Sequence, residues 1–163
     1  MHDDTMLTRR DWLVRSIGTI GGGLALAVLL PRTSGASPTP AAITVYKDPS
    51  CGCCTKWVEH LRANGFAPDV HDRADMDALK DSLGVPSELR SCHTAVAGRY
   101  VVEGHVPASD VKKLLVSAPA HVVGLAVPGM PAGSPGMEMG ARADRYDVLA
   151  FGAKGTTRVF AHH

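Results

Sequence analysis

Three of the four cysteines in the chain fall within four positions, as Cys51, Cys53 and Cys54. They follow an apolar, β-rich run at residues 42–46 and precede a helical pattern at residues 55–62. A C-x-x-C between a strand and a helix is typical of thioredoxin-like redox sites. A dithiol switch needs only two sulfurs, so the third thiol favours binding of a soft metal ion.

The fourth cysteine, Cys92, is followed directly by His93 and then by a predicted strand. In a thioredoxin fold this segment faces the C-x-x-C, so we expect both side chains to lie opposite the three clustered thiols. Thiolates with an imidazole suit Cu(I) or Zn(II). Because Cys53 and Cys54 are adjacent, they cannot easily surround one ion tetrahedrally, and the spacing favours more than one Cu(I) ion bridged by sulfur. The alternative is an ordinary buried Cys92 with His93 on the surface.

Two other interpretations use the same cysteines without a metal. A thiol at a helix N-terminus has a lowered pKa and is a good nucleophile. Cys51 would then attack substrates as a thiol–disulfide oxidoreductase, with Cys54 as the resolving thiol. In the other interpretation a Cys51–Cys54 disulfide only staples the fold. Cys53 and the Cys92–His93 pair argue against both, since neither role requires them.

Other soft or basic donors are weaker candidates. His105 follows a predicted strand and is a candidate ligand or a neighbour of the ligands. Met130 and Met137 lie in a proline- and glycine-rich segment at residues 128–139. Their thioethers either bind Cu(I) or pack over the thiol cluster as flexible apolar filler. We expect His60, two helical turns after Cys53, to face solvent.

Apolar periodicity and glycine or proline punctuation predict the regular elements. The predicted strands and helices, in chain order, are residues 43–47, 52–64, 66–70, 75–83, 94–97, 100–103 and 107–115. The order β-α-β-α-β-β-α is that of a thioredoxin-like α/β fold, a mixed sheet flanked by helices. From about residue 118 we predict a C-terminal extension: an irregular Met/Pro/Gly loop and then a closing strand pair at residues 146–151 and 156–161.

The N-terminal segment is predicted to direct export. Arg9 and Arg10, with the residues around them, resemble a twin-arginine signal, and an apolar run of 14 residues follows at 17–30. That run is shorter than the roughly 20 residues that span a bilayer. We expect cleavage after Ala36, giving a signal peptide at residues 1–36, a linker at 37–42 and one domain at 43–163. The mature protein is then periplasmic, without stable membrane insertion.

Charge and motifs exclude several function classes. The chain has 17 basic and 16 acidic residues, and removal of the signal segment leaves 13 of each. A neutral domain has no basic field for nucleic acid. Phosphate-binding, dinucleotide-binding and hydrolase motifs are absent from the sequence. The carboxylates are scattered, which indicates solvated surface. Four cysteines in an oxidising compartment must be disulfide-bonded or protected by a metal.

Several of these motifs occur together in one known family. They are Cys51-Gly52-Cys53-Cys54, Cys92-His93, the segment 103–107 and the loop 129–137. Together they resemble the CopG-like family of thioredoxin-like periplasmic proteins from bacterial copper-resistance systems, a domain of unknown function. The resemblance covers roughly residues 43–163. It implies copper as the cofactor, bound by Cys51, Cys53, Cys54, Cys92 and His93, a possible redox activity, and other periplasmic copper-resistance proteins as partners.

Overall fold

The computed structural model describes residues 40–138, 140 and 142–163. The predicted signal peptide, residues 37–39 of the predicted linker, Met139 and Ala141 lie outside this part of the chain. The helices and strands, in chain order, are β1 (Ala41–Lys47), α1 (Gly52–Ala63), β2 (Phe66–Asp72), α2 (Met76–Ser82), β3 (His93–Ala97), β4 (Tyr100–Glu103), α3 (Ala108–Ser117), β5 (Gly124–Ala126), β6 (Asp147–Phe151) and β7 (Thr157–His162). Short 3-10 turns lie at Ser87–Leu89 and Ala153–Gly155.

All seven of these strands form one mixed sheet, in the order β2-β1-β3-β4-β5-β6-β7. β1 pairs with β2 in parallel, as expected for a crossover through α1, and with β3 in antiparallel orientation. β3 and β4 form the predicted hairpin, and β4 pairs in parallel with β5. The thioredoxin-like α/β prediction is therefore confirmed, with β6 and β7 as the closing strand pair.

The sheet separates two hydrophobic clusters. The larger one joins Trp57, Val58 and Leu61 of α1 and Leu114 of α3 to alternate sheet residues such as Ala95. The smaller one lies around Val85, Leu89 and Phe151. Because successive strand residues point to opposite faces, His93 shares its face with Ala95, towards α1, whereas Thr94 faces α2.

Two expectations about polar side chains were wrong. His60 is half-buried, and its Nε2 accepts the backbone N–H of Ala108 at 3.1 Å. Burial lowers the pKa of His60, which favours the neutral ring with an accepting Nε2. The carboxylates are not all solvated, since Glu103 and Asp110 are fully buried. Each has a cationic partner, Lys80 and Lys113 respectively, which compensates for the lost hydration.

Within the described residues, no helix is both long and apolar enough to cross a membrane.

Candidate metal centre

The centre is built at the N-terminus of α1. Asp48 accepts the backbone N–H of Ser50 at 2.8 Å and shapes the turn that ends β1. Cys51 is the N-cap residue of α1, and its sulfur accepts the backbone N–H of Cys54 at 3.3 Å. The first helical turn, with its unpaired N–H groups, therefore carries the three clustered cysteines. This is the predicted position of the thiols.

Four sulfur atoms meet at this helix end. The Sγ atoms of Cys51, Cys53, Cys54 and Cys92 all lie within 4.8 Å of one another. Cys53 Sγ is 3.5 Å from Cys51 Sγ and 3.9 Å from Cys92 Sγ. The register of β3 against β1, which pairs His93 with Lys47, brings Cys92 across to the helix end. The expected approach of Cys92 to the other three sulfurs is present.

In this structure the cluster is partly oxidised. Cys51 and Cys54 form a disulfide, whereas Cys53 and Cys92 are free and partly buried. A disulfide sulfur is not a thiolate, and thiolate is the metal-binding form of cysteine. The four sulfurs become a full thiolate set only after this disulfide is reduced.

A second donor group shares Cys92 with the first. It contains Cys92, His93 and His105, whose ligand atoms also lie within 4.8 Å of one another. Cys92 Sγ is 3.4 Å from His93 Nδ1 and 3.1 Å from His105 Nε2. The group needs neither cysteine of the disulfide. Cys92 is thus the one residue common to both donor groups.

His105 is held in one tautomer by the proline- and glycine-rich loop. Its Nδ1 is 2.8 Å from the carbonyl oxygen of Pro135. Because a carbonyl only accepts, Nδ1 carries the hydrogen and the neutral ring directs an unprotonated Nε2 at Cys92. Burial lowers the pKa of His105, which favours this neutral form. In the metal-free protein this nitrogen is placed to accept the Cys92 S–H, and an unprotonated imidazole nitrogen is also the form that binds a metal ion.

His93 lies beneath the cluster, fully buried and not on the surface as the alternative interpretation held. Its ring packs on the Trp57 indole at a centroid distance of 4.3 Å, and Trp57 Nε1 donates to Val106 O at 2.9 Å. Among the described residues, buried His93 Nε2 has no hydrogen-bond partner. Desolvation, aided by the nearby His105 and Lys80, lowers the pKa of His93 well below its ordinary value. The imidazole is neutral and its Nδ1 faces the Cys92 sulfur, which fits a soft-metal site.

The Cys92 thiol is protonated when the centre holds no metal. Burial, and then the neighbouring Cys53, raise the pKa of Cys92 to about 12. A soft cation that binds here displaces a proton, because the ligand is the thiolate. The environment thus disfavours a free thiolate at Cys92, and a bound metal cation would stabilise that thiolate.

The Met/Pro/Gly loop packs over the centre. Gly136 lies so close to α1 that an added Cβ would come within 2.9 Å of Cys53 O and of Trp57 N. Together with the Pro135–His105 contact, this fixes the loop on the helix end. Met130 is 53% exposed and Met137 is partly buried. The loop, predicted to be irregular, therefore covers the helix end that carries the thiols.

Behind β3 lies a polar cluster that the sequence analysis missed. Lys80 of α2 forms an ion pair with Glu103 of β4, and both are almost completely buried. Glu103 Oε1 also accepts the backbone N–H of Ser91, next to Cys92, at 2.6 Å. No local pattern marks Lys80, which lies in a short, mostly polar helix. The sequence feature that could have indicated this polar cluster is Glu103, a carboxylate at the end of an otherwise apolar strand.

One protein-family model and two solved structures match this chain. A family model described as "Protein of unknown function, DUF411" matches residues 89–137. Two solved structures, described as "Copper resistance protein copG- Form 2" and "Copper resistance protein copG- Form 1", are each 52% identical to this chain. Each match covers 76% of this chain and 98% of the other chain, with a TM-score of 0.72. The chain matches no curated protein.

Proposed function

Since the chain belongs to the family of the CopG copper resistance proteins, we propose that it binds copper as Cu(I) and sequesters it or passes it to other copper-resistance proteins. The observation that carries the proposal is the meeting of four sulfurs within 4.8 Å, extended by two imidazoles through Cys92. Soft thiolates with neutral imidazole are ligands that Cu(I) prefers. Copper is here the cargo of the protein.

The proposed ligands are Cys51, Cys53, Cys54, Cys92 and His93, with His105 added because of its approach to Cys92. Two adjacent cysteines in one helical turn cannot both take ideal positions around a single ion. We therefore propose more than one Cu(I), bridged by sulfur. Met130 and Met137 are the proposed additional thioether donors.

The disulfide makes copper loading depend on redox state. Reduction of Cys51–Cys54 takes up two electrons and two protons and yields two thiols, which lose their protons when copper binds. Of the two donor groups among the described residues, the Cys92, His93 and His105 group is the one that keeps all its donors in the oxidised state. We propose that the reduced protein holds more copper than the oxidised protein.

We also propose that the protein acts in the periplasm. Residues 1–36 would be the twin-arginine signal, residues 43–163 the metal-binding domain, and the part from about residue 118 its extension. A mature N-terminus after Ala36, read by mass spectrometry of the periplasmic fraction, would support this. An uncleaved N-terminus on cytoplasmic protein would contradict it.

The experiment for copper binding is elemental analysis with X-ray absorption on untagged protein from copper-fed cells. We expect more than one copper per chain after reduction, with a sulfur-rich first coordination shell. Cys53→Ser and Cys92→Ser should each lower the copper content, whereas Ser87→Ala, at an exposed position outside both donor groups, should not. At most one copper per reduced chain would contradict the multinuclear proposal, and no retained copper would contradict copper binding.

A second candidate function is thiol–disulfide exchange, favoured by the disulfide at the N-terminus of α1. Cys51 is partly exposed and Cys54 is fully buried, as a nucleophile and a resolving thiol should be. Reduction of insulin disulfides separates the two functions. Rapid reduction that survives Cys53→Ser and Cys92→Ser, with no copper retained by the wild-type protein, would favour the exchange function.

A further inference from the structure

The buried ion pair behind β3 links the two chain segments that carry Cys92 and His105. Glu103 is the last residue of β4, two positions before His105, and Lys80 reaches it from α2. Thr94, directly opposite Glu103 in the β3–β4 register, accepts from Lys80 Nζ at 2.8 Å and donates to Glu103 Oε2 at 2.7 Å. Burial raises the pKa of Glu103, and the donors Lys80, Thr94 and the Ser91 N–H act against this shift.

One of these hydrogen bonds acts on the backbone beside the metal centre. Glu103 Oε1 accepts the N–H of Ser91 at 2.6 Å. Ser91 precedes Cys92 and lies outside β3, so the sheet ladder does not fix it. On the other side of the hairpin, Gly104 N donates to His93 O at 3.0 Å. The Glu103 carboxylate therefore holds the segment of Cys92 against the segment of His105.

A buried ion pair is a costly way to stabilise a fold. Removing two charges from water consumes most of the attraction between them, and apolar residues of similar size are often as stabilising. The charged pair also fixes the orientation of the groups it bonds, because charge-assisted hydrogen bonds constrain angles as well as distances. Residues that orient metal ligands in this way commonly change metal affinity when they are replaced.

We propose that Lys80 and Glu103 are positioning residues for the metal centre: through Ser91 N and Thr94, they hold Cys92 at the distance from Cys53 and His105 at which copper is bound. This inference rests on the proposed function. Neither residue touches the donor atoms, so their effect passes through the backbone of Ser91 and the strand pairing of Thr94 with Glu103.

The test compares two double variants in reduced protein. Lys80→Met with Glu103→Leu removes both charges and the acceptor for Ser91 N–H. Lys80→Met with Glu103→Gln also removes both charges but keeps an amide oxygen at that position. Cu(I) affinity is measured by competition with a chromophoric chelator, and the copper–sulfur distances by X-ray absorption. We expect the first variant to lose about tenfold or more in affinity, with an altered absorption spectrum, and the second to recover most of it.

Asp110→Asn is the matched control, because Asp110 of α3 is a fully buried carboxylate whose partners are Lys113 and the C-terminal His163, neither of them a donor residue of the centre. It should lower stability without changing copper affinity. If the leucine double variant does not fold, Thr94→Val replaces it. This variant keeps both charges, removes one donor to Glu103, and should lower affinity severalfold.

A metal-free readout separates this inference from the proposed function. In oxidised protein, alkylation of Cys92 is followed by peptide mass mapping with Cys53 as the internal reference. Loss of positioning should raise the Cys92 rate relative to Cys53 about tenfold. If wild-type protein binds no copper, this ratio still decides the inference. Variants with the wild-type rate ratio, or with wild-type affinity and absorption spectrum, would overturn it.

Discussion

From the full burial of His93 we predict how the free energy of unfolding of the metal-free protein depends on pH. His93 has no exposed surface, so desolvation is the main cause that opposes its protonation; His105 and Lys80 act in the same direction, and the Gly104 backbone acts against them as the smallest cause. The folded-state pKa is therefore far below the ordinary value of 6.5. As the pH falls below about 6.5, the unfolded chain takes up a proton at His93 and the folded protein does not. The stability that a neutral His93 contributes is thus present above this pH and is lost as the pH falls.

The magnitude follows from linkage. At pH 5, about 1.5 units below the unfolded pKa, one such histidine lowers the free energy of unfolding by roughly 2 kcal/mol, at about 1.4 kcal/mol per unit. The change to be made is His93→Gln, which keeps a polar side chain but does not titrate. His60 and His105 stay in both proteins, so their contributions cancel in the comparison.

The assay is urea unfolding of oxidised, chelator-treated protein at pH 7 and pH 5. Wild-type protein should lose about 2 kcal/mol more stability between these pH values than His93→Gln does. His121→Gln, at an exposed position, is the histidine control and should behave as wild type. Equal pH dependence in wild-type protein and His93→Gln would refute the argument that the His93 ring is buried in the neutral form.

Three further outcomes are expected. Alkylation of metal-free oxidised protein under denaturing conditions should modify two of the four cysteines, and after reduction it should modify all four, as measured by intact mass. Modification of all four cysteines without reductant would contradict the disulfide. Gly136→Ala should cost about 1–3 kcal/mol in urea unfolding, because its Cβ would meet Cys53 O and Trp57 N at 2.9 Å. Gly129→Ala, also at positive φ but in open space, should cost less; equal costs would exclude the steric cause. Trp57→Phe should lose about 1–3 kcal/mol by leaving Val106 O without its buried donor, and an unchanged unfolding midpoint would contradict this.

Much of the fold was predictable because the element boundaries have local causes. Gly65 and Gly84 have positive φ and follow α1 and α2 at the predicted ends. The hairpin turn at Gly98 also has positive φ. One strand was missed: β5 (Gly124–Ala126), which pairs in parallel with β4, was not predicted. Other errors are shifts of element ends by one or two residues, and at strand ends pairing decides the boundary. β1 begins at Ala41, and not at Ile43, because Ala41 and Ala42 pair with β2.

The approach of Cys92 to Cys53 was also predictable, since it follows from the topology. Once β3 pairs with β1, the residue before β3 must lie near the end of β1 and the start of α1. A fold class is enough to place these residues together, and the 3.9 Å between Cys53 Sγ and Cys92 Sγ agrees with it.

His105 and Met130 show where such reasoning ends. Both were candidates on donor chemistry and on their places in the sequence, His105 after a predicted strand and Met130 in the proline- and glycine-rich segment. The structure separates them: His105 is fully buried with Nε2 3.1 Å from Cys92 Sγ, whereas Met130 is 53% exposed. The difference arises from two contacts distant in sequence, the Pro135 carbonyl that orients the His105 ring and the Glu103 carboxylate that anchors the segment of Cys92. Neither contact follows from spacing or periodicity, because each depends on how a loop or a helix packs against the finished sheet.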